Sequence, residues 1–333
     1  MTHQEDKSII SKVFDQSSES FSIESISKIS KGNNNRTYLA QGHGRKVIAK
    51  FYFSSDSDNR DRLDHEYKFL KYAEKININC VPKPIIKSKK YNLGIYEHID
   101  ARPFQMSDLG KNYVIEAADF FSSLNPAGQS SQYQDLKYAS EAFLDPQIYV
   151  NNIDKRIAGL VDALNNKNAD SKTNFFINNL QEAWAKIKSS LIQNENLIKQ
   201  HHSLCVSPSD FGFHNALIQK DKIFFIDFEY AGIDDAAKVI CDFFIQPEIK
   251  VPMIYLEEFA NRAFPSFNNK DLLLERAIKL LPLFQIKWCC IMMNEFMPNI
   301  AERRLFSDPD LDLEASKFYQ LEKASSLLIE INY

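Results

Sequence analysis

The sequence predicts an α+β protein of two lobes, a small antiparallel-sheet lobe with one long helix followed by a larger, mainly helical lobe. Three observations carry this reading. The 333 residues exceed the usual size of one compact core. The first hundred residues alternate short β-rich runs with a single helical stretch, in the order β-β-α-β-β. From about Lys111 onward the apolar spacing becomes helical, which places the boundary near residues 99–105, with a first lobe over 1–99 and a second over 100–333.

Composition narrows the function classes. A hydrophobic fraction of 44% and a charged fraction of 25% describe an ordinary globular chain and exclude a disordered or fibrous one. A net charge of -4 lacks the basic footprint with which proteins engage phosphate backbones, so no nucleic-acid partner is expected. Five cysteines with no Cys-x-x-Cys pair fit a reducing compartment. Met1 to Ser20 is polar and unlike a signal peptide. The most apolar later stretch, Leu272 to Met293, carries Glu275, Arg276, Lys279 and Lys287, which are costly in hydrocarbon. A cytoplasmic protein without membrane association is therefore expected.

Taken in order, the chain opens with a modest helix near Ile9–Phe14. Ser30-Lys31-Gly32-Asn33-Asn34-Asn35 is a turn between strand-like runs; Gly and Asn tolerate left-handed backbone, so it can present N–H groups to a phosphate or serve as an ordinary hairpin turn. Arg45 to Phe53 is rich in β-branched and aromatic residues, with Lys50 on the face of Ile48 and Tyr52. A lysine there either meets an anion or lies at a solvated edge. A helix is predicted over Asp58–Glu74, and its Glu66 is within reach of Lys50. Val81-Pro82-Lys83-Pro84 breaks that helix, and Leu93 to Ile99 is a strand. Later helices are predicted over Tyr113–Leu124, Asp154–Leu164, Asn174–Ser190, Glu195–His202, Ile254–Ala263, Lys270–Leu281, Leu283–Met293 and Leu313–Ile331, with a loop over Asn165–Ser171.

The chemistry-bearing segment is Ser207-Pro208-Ser209-Asp210-Phe211-Gly212-Phe213-His214-Asn215, followed by Ile223-Phe224-Phe225-Ile226-Asp227. A loop carries Asp210 and Asn215, a hairpin turns at Lys220-Asp221, and Asp227 leaves the second strand. An antiparallel hairpin brings its open ends together, so Asn215 and Asp227 can converge on one hard cation such as Mg2+. Asp210, close by, can accept a hydroxyl proton.

These residues resemble the aminoglycoside phosphotransferase and choline kinase-like family, relatives of the protein kinases. The loop resembles that family's His-Gly-Asp, four residues, Asn pattern, and Asp227-Phe228-Glu229-Tyr230-Ala231-Gly232 resembles its metal-binding segment. Matches in the family's order span residues 29 to 243. The resemblance implies a two-lobed protein kinase-like fold and an ATP- and Mg2+-dependent transfer of phosphate to a hydroxyl of a small molecule, whether aminoglycoside, amino alcohol or sugar-like. It implies Asp210 as the base and Asn215 and Asp227 as metal ligands. Gly32, Asn33, Asn34 and Asn35 stand as the phosphate loop, with Lys50, aligned by Glu66, on the nucleotide phosphates and the backbone of Glu97, His98 and Ile99 against adenine.

The chain also departs from the pattern. Pro208-Ser209 replaces His-Gly, so Ser207, Ser209 or His214 is expected to hold Asp210, with His214 as a structural partner, and the phosphate loop has a single glycine. Glu229, Asp234, Asp235 and Asp242 either make the acceptor pocket negative, favouring an amine-bearing acceptor, or cap helices and support the metal loop. Trp288 and Met292 are expected in the core, and Asn294 and Glu295 are candidate acceptor contacts. A nucleotide-binding pseudoenzyme and a protein kinase-like regulator are the alternatives. The retained Asp210, Asn215, Asp227 and Lys50 weigh against the first, and the absence of a long activation segment after Asp227 weighs against the second.

Overall fold

The computed structural model describes residues 3–19, 21–29, 34–55, 58, 60–126, 135–165, 170–193, 203–265, 267 and 269–332. Alternating burial in Arg36–Gly42 (β2) reflects its alternating apolar residues, and it forms a hairpin with Arg45–Phe51 (β3) through His43-Gly44. Both turn residues have positive φ, 49° and 75°, as a tight hairpin reversal requires. Ser25–Lys28 (β1) pairs with β2, Leu93–Glu97 (β5) with β3, and Pro84–Ser88 (β4) with β5. The five antiparallel strands thus lie in the order β1-β2-β3-β5-β4. Lys50 falls on the central strand opposite Gly94. A side chain at Gly94 would collide with the Tyr96 ring, so glycine clears the space that ring needs.

The N-terminal helix is longer than its sequence signal, running His3–Asp15 (α1) and burying Ile10, Val13 and Phe14 against Tyr38, Ala40 and Val47 of the sheet. Asp6 fastens it, taking bonds from Arg36 at 3.0 Å and from Tyr38 at 2.6 Å. The long helix begins at Arg62 rather than Asp58 and ends at Lys75 (α2). The cause lies in two side chains. Asp61 caps it by accepting from the Asp64 N–H, while Asp58 accepts from the side chains of Arg60 and Arg62.

Beyond the sheet, Arg102–Pro103 (β6) pairs with Ala216–Gln219 (β8), which forms a hairpin with Lys222–Phe225 (β9), and Leu204–Ser207 (β7) pairs with Gly232–Asp235 (β10). The backbone of β10 is a strand because β7 offers it a ladder. Around the two small sheets lie Lys111–Leu124 (α3), Pro146–Asn165 (α4), Ser171–Gln193 (α5), Ala236–Ile245 (α6), Leu256–Ala263 (α7), Lys270–Met292 (α8), Pro298–Ser307 (α9) and Leu313–Ile329 (α10). The predicted helix Glu195–His202 lies outside the described residues.

One further expectation changes. The helices Lys270–Leu281 and Leu283–Met293 are one, α8, which continues through Pro282. Proline removes one backbone bond, but Ala277 and Leu280 before it and Leu283, Phe284 and Ile286 after it are all buried, so packing carries the helix across. The acidic stretch continues into α6 at Ala236, capped by the Asp235 carboxylate accepting from the Ala237 N–H at 2.8 Å, so Cys241 sits mid-helix. All five cysteines are free thiols. Among the described residues no helix is long and apolar enough to cross a membrane.

Candidate active site

The functional segments alternate polar residues with phenylalanines, and the fold sorts them. Phe211, Phe213, Phe225 and Phe228 are buried. Phe211 stacks on Phe243, Phe213 on Phe104, and Phe225 on Phe120. Phe228 stacks on Phe69 of α2 with centroids 4.4 Å apart, which ties the strand end to that helix. Burial of the rings leaves Asp210, Asn215 and Asp227 on the open side. The three border one narrow gap, too small for a water molecule, whose other walls are Pro208, Gly212, Ile226 and the rings of Phe211, Phe225 and Phe228. They sit in loops after β7, before β8 and after β9, and the β8–β9 register together with the Ile226 N–H bond to the Asn215 carbonyl, 2.9 Å, brings the last two alongside.

Lys50 joins the sheet to this loop cluster. Its ammonium donates to Glu66 at 2.7 Å and to Asp227 at 2.6 Å, with Glu229 at 4.0 Å. Burial alone would lower its pKa, but Asp227, Glu66 and Glu229 outweigh this and hold it well above the ordinary lysine value. Glu66 also accepts from Tyr52 at 2.6 Å, and the Tyr52 hydroxyl meets that of Tyr96 at 2.7 Å. Asp227 has a positive φ of 67°. Burial raises its pKa, Lys50 opposes the rise, and Glu229 and Glu66 add to it, so the carboxyl stands above the ordinary range.

Asp210 has the opposite environment. Burial raises its pKa, but His214, Lys287 and Asn215 outweigh that and keep it ionised below the usual range. His214 Nε2 lies 3.3 Å from its carboxylate, and the Asn215 amide donates to its carbonyl at 3.0 Å. Of the three residues expected to replace the missing histidine, His214 takes the carboxylate. Ser207 acts one step back, its hydroxyl accepting from the Ser209 N–H at 2.9 Å where Ser209 turns at a φ of 57°.

The remaining sequence-predicted residues divide. Gly32 and Asn33 lie outside the described residues. Asn34 and Asn35 turn their amides onto Glu229 at 3.0 and 2.5 Å, and Asn34 also onto the Tyr230 hydroxyl at 3.0 Å. Glu97 ends β5, where its N–H donates to the Lys83 carbonyl and its carboxylate accepts from the Lys83 N–H. His98 and Ile99 follow it.

The profile of the phosphotransferase enzyme family (APH) matches residues 25–260. The chain belongs to the phosphotransferase enzyme family. Solved structures agree on the kinase-like fold. A choline kinase from Cryptosporidium parvum Iowa II is similar at a TM-score of 0.60 and 18% identity, over 99% of this chain and 97% of that one. A choline/ethanolamine kinase family protein from Mesorhizobium loti gives 0.63 and 13%, over 99% and 96%. A spectinomycin phosphotransferase in complex with ADP and spectinomycin gives 0.62 and 13%, over 98% of each chain. No curated protein matches the sequence.

This phosphotransferase has features near the site that sequence reasoning missed. Helix α9 was not predicted, yet its Ser307 hydroxyl donates to the Asn35 carbonyl at 3.0 Å and its Arg304 reaches the Asn34 side chain at 3.4 Å, so the C-terminal helices touch the N-terminal turn. The available signal was Pro298 at the first helical position. Trp288, expected in the core, lines a cavity beside Asp210, as do Asn294 and Glu295. Met292 is buried as expected, though it borders that cavity as well. The acidic residues support the scaffold. Asp235 caps α6, Asp234 accepts from the Phe143 N–H and from Lys238, Asp242 also takes Lys238, and Glu229 holds the two asparagines.

Proposed function

We propose that the protein transfers the γ-phosphate of ATP to a hydroxyl of a small molecule, in a cleft between a nucleotide-binding lobe over 1–99 and an acceptor-binding lobe over 100–333. The observation that carries this reading is the bridge at Lys50, whose ammonium joins Glu66 on the sheet side to Asp227 on the loop side. A buried lysine held by two carboxylates is positioned to meet the phosphates of a nucleotide, with Glu66 and Tyr52 fixing its direction. The backbone of Glu97, His98 and Ile99 would receive adenine and residues 32–35 the phosphates. Support for the nucleotide also comes from the similar spectinomycin phosphotransferase, a complex with ADP.

Asp210 is the base in this scheme. It is ionised, lies in the wall of both the gap and the adjoining cavity, and is steadied by His214, so it can orient an acceptor hydroxyl and take its proton. Asn215 and Asp227 supply hard oxygen donors of the kind Mg2+ takes along with substrate phosphates and water. The raised Asp227 carboxyl, crowded by Glu229 and Glu66, marks an excess of negative charge that a divalent cation would relieve, so the donor set fits. When bound, the ion would neutralise charge on the transferring phosphates.

The test is direct. Wild type is expected to bind Mg-ATP and to pass phosphate to a member of a panel of amino alcohols, sugars and aminoglycosides, and Asp227→Ala is expected to lose Mg-ATP binding. Unchanged Mg-ATP affinity in Asp227→Ala would show that Asp227 does not hold the metal. Tight nucleotide binding with no transfer to any acceptor would favour a pseudoenzyme.

A further inference from the structure

The cavity beside Asp210 has a volume of about 560 Å3, and its charges are unevenly matched. Apart from Asp210, each carboxylate in its wall already has a cation. Glu141 takes Arg156 at 2.6 Å and Lys287 at 2.9 Å, and Asp242 takes Lys238 at 2.7 Å. Glu248 takes Lys323, and Glu295 takes Arg304 at 2.6 Å. None of these carboxylates is left over for a substrate ammonium.

The guanidinium side of the wall is the reverse. Asp58 accepts from Arg60 at 2.7 and 2.8 Å and from Arg62 at 2.5 Å, and it is also the nearest carboxylate to Arg303, at 3.9 Å. With Glu229 3.9 Å from Arg62, two carboxylates therefore face three guanidinium groups, and Arg303 has only the shared Asp58 beside it. Arg303 is only 7% exposed, lines the cavity, and has a buried Nε with no hydrogen-bond partner. A buried cation without a hydrogen-bonded anion is unfavourable, and an anion entering the cavity beside the guanidinium offsets that charge on binding.

We propose that this cavity takes an acceptor carrying a carboxylate or phosphate group beside its hydroxyl, with the anion seated on Arg303 and Arg60. The word acceptor rests on the phosphotransferase reading above; the anion seat itself does not. Burial lowers the Arg303 pKa and the nearby Arg304, Arg60 and Arg62 add to this against Tyr230, in keeping with a cation whose counter-charge, Asp58, is shared with other guanidinium groups. The seat is assigned to the acceptor because Arg303 and Arg60 share the cavity with Asp210, Lys287 and Trp288 and none of residues 97–99 borders it; Asn34 of the turn assigned above to the phosphates also lines it, so competition with Mg-ADP decides between the two.

The experiment is a calorimetric titration of the full chain with inorganic phosphate, D-glycerate, glycerol and ethanolamine, each with and without saturating Mg-ADP. Saturable binding of phosphate or glycerate is expected, about tenfold or more tighter than glycerol or ethanolamine, and retained in the presence of Mg-ADP. Arg303→Met is expected to weaken the anions about tenfold or more, as loss of a charge-assisted hydrogen bond does, with part restored in Arg303→Lys. Should Arg303→Met fail to fold by circular dichroism, Arg60→Gln carries the same comparison. Absence of binding by both anions overturns the proposal, as does ethanolamine binding as tightly as glycerate, or anion affinity unchanged in the variant. Displacement of the anions by Mg-ADP would assign the arginines to the nucleotide and overturn it equally. The titration needs no turnover, so a chain that transfers no phosphate fails the function proposed above while leaving this result readable.

Discussion

The two sides of the candidate site are built on opposite electrostatic plans. On the side proposed for the nucleotide, one ammonium, Lys50, is enclosed by the carboxylates of Glu66, Asp227 and Glu229, so negative charge is in excess and a divalent cation is welcome. On the side proposed for the acceptor, Arg60, Arg62 and Arg303 gather at Asp58, with Glu229 3.9 Å from Arg62, so positive charge is in excess and an anion is welcome. The first cluster joins two segments, Lys50 with Glu66 and Asp227 with Glu229, that are each short but lie 177 positions apart at the Lys50–Asp227 bond. The second joins residues more than 240 positions apart. A site that attracts cations at one end and anions at the other can orient its substrates before any reaction takes place.

The largest expected effect breaks the site between the two halves. Asp210→Asn should lower kcat by about 10^2- to 10^4-fold, the usual range for loss of a general base, with nucleotide affinity little changed in a direct titration. Next comes the scaffold of the nucleotide side. Phe228→Ala removes the ring stacked on Phe69 and should cost about 3–5 kcal/mol in a urea unfolding curve. Equal loss of stability and of nucleotide affinity would show that α2 and the Asp227 loop act as one unit.

Tyr52→Phe is a milder probe of the same side. It removes the hydroxyl bonded to both Glu66 and Tyr96 and should destabilise by about 1 kcal/mol, with a measurable fall in Mg-ATP affinity if Glu66 loses its direction.

The smallest effect is in acid. Burial raises the Asp64 carboxyl, but Lys87, Lys68 and Lys137 outweigh it and hold the group below the usual carboxylate range. A depressed folded pKa means that this stabilisation is present above the unfolded value of about 4 and is lost as pH falls through the folded one. Asp64→Asn should therefore cost on the order of 1 kcal/mol at neutral pH and flatten the decline of stability below about pH 4, measured by chemical unfolding across pH.

Much of the nucleotide side was legible in the chain. Lys50 stood out because a lysine in an apolar strand needs an anion, and Glu66 because it lies on the next helix. Asp210, Asn215 and Asp227 stood out because a loop and a hairpin return them to one place. For Glu229, Asp234, Asp235 and Asp242 the sequence left two roles open, and their hydrogen bonds are those of support, since capping and pairing are the ordinary fate of carboxylates at strand–helix junctions. The cavity wall was legible only in part, through Asp210, Asn294 and Glu295. Arg60 has no periodic signal, Arg303 sits in a helix whose pattern was too weak to predict, and Trp288 looked like core because its spacing on α8 matches buried neighbours.

The sequence by itself determined the α+β division, the strand that carries Lys50 and the alternation of phenyl and polar residues that faces Asp210, Asn215 and Asp227 away from the core. These follow from local periodicity, turn chemistry and short spacings. Tertiary structure alone decided that α8 runs through Pro282, that Gly232–Asp235 is a strand, that α9 reaches the turn at Asn34, and that three arginines share one aspartate. Each depends on a partner distant in the chain, whether a core, a ladder or a counter-charge, and no local pattern encodes the position of that partner.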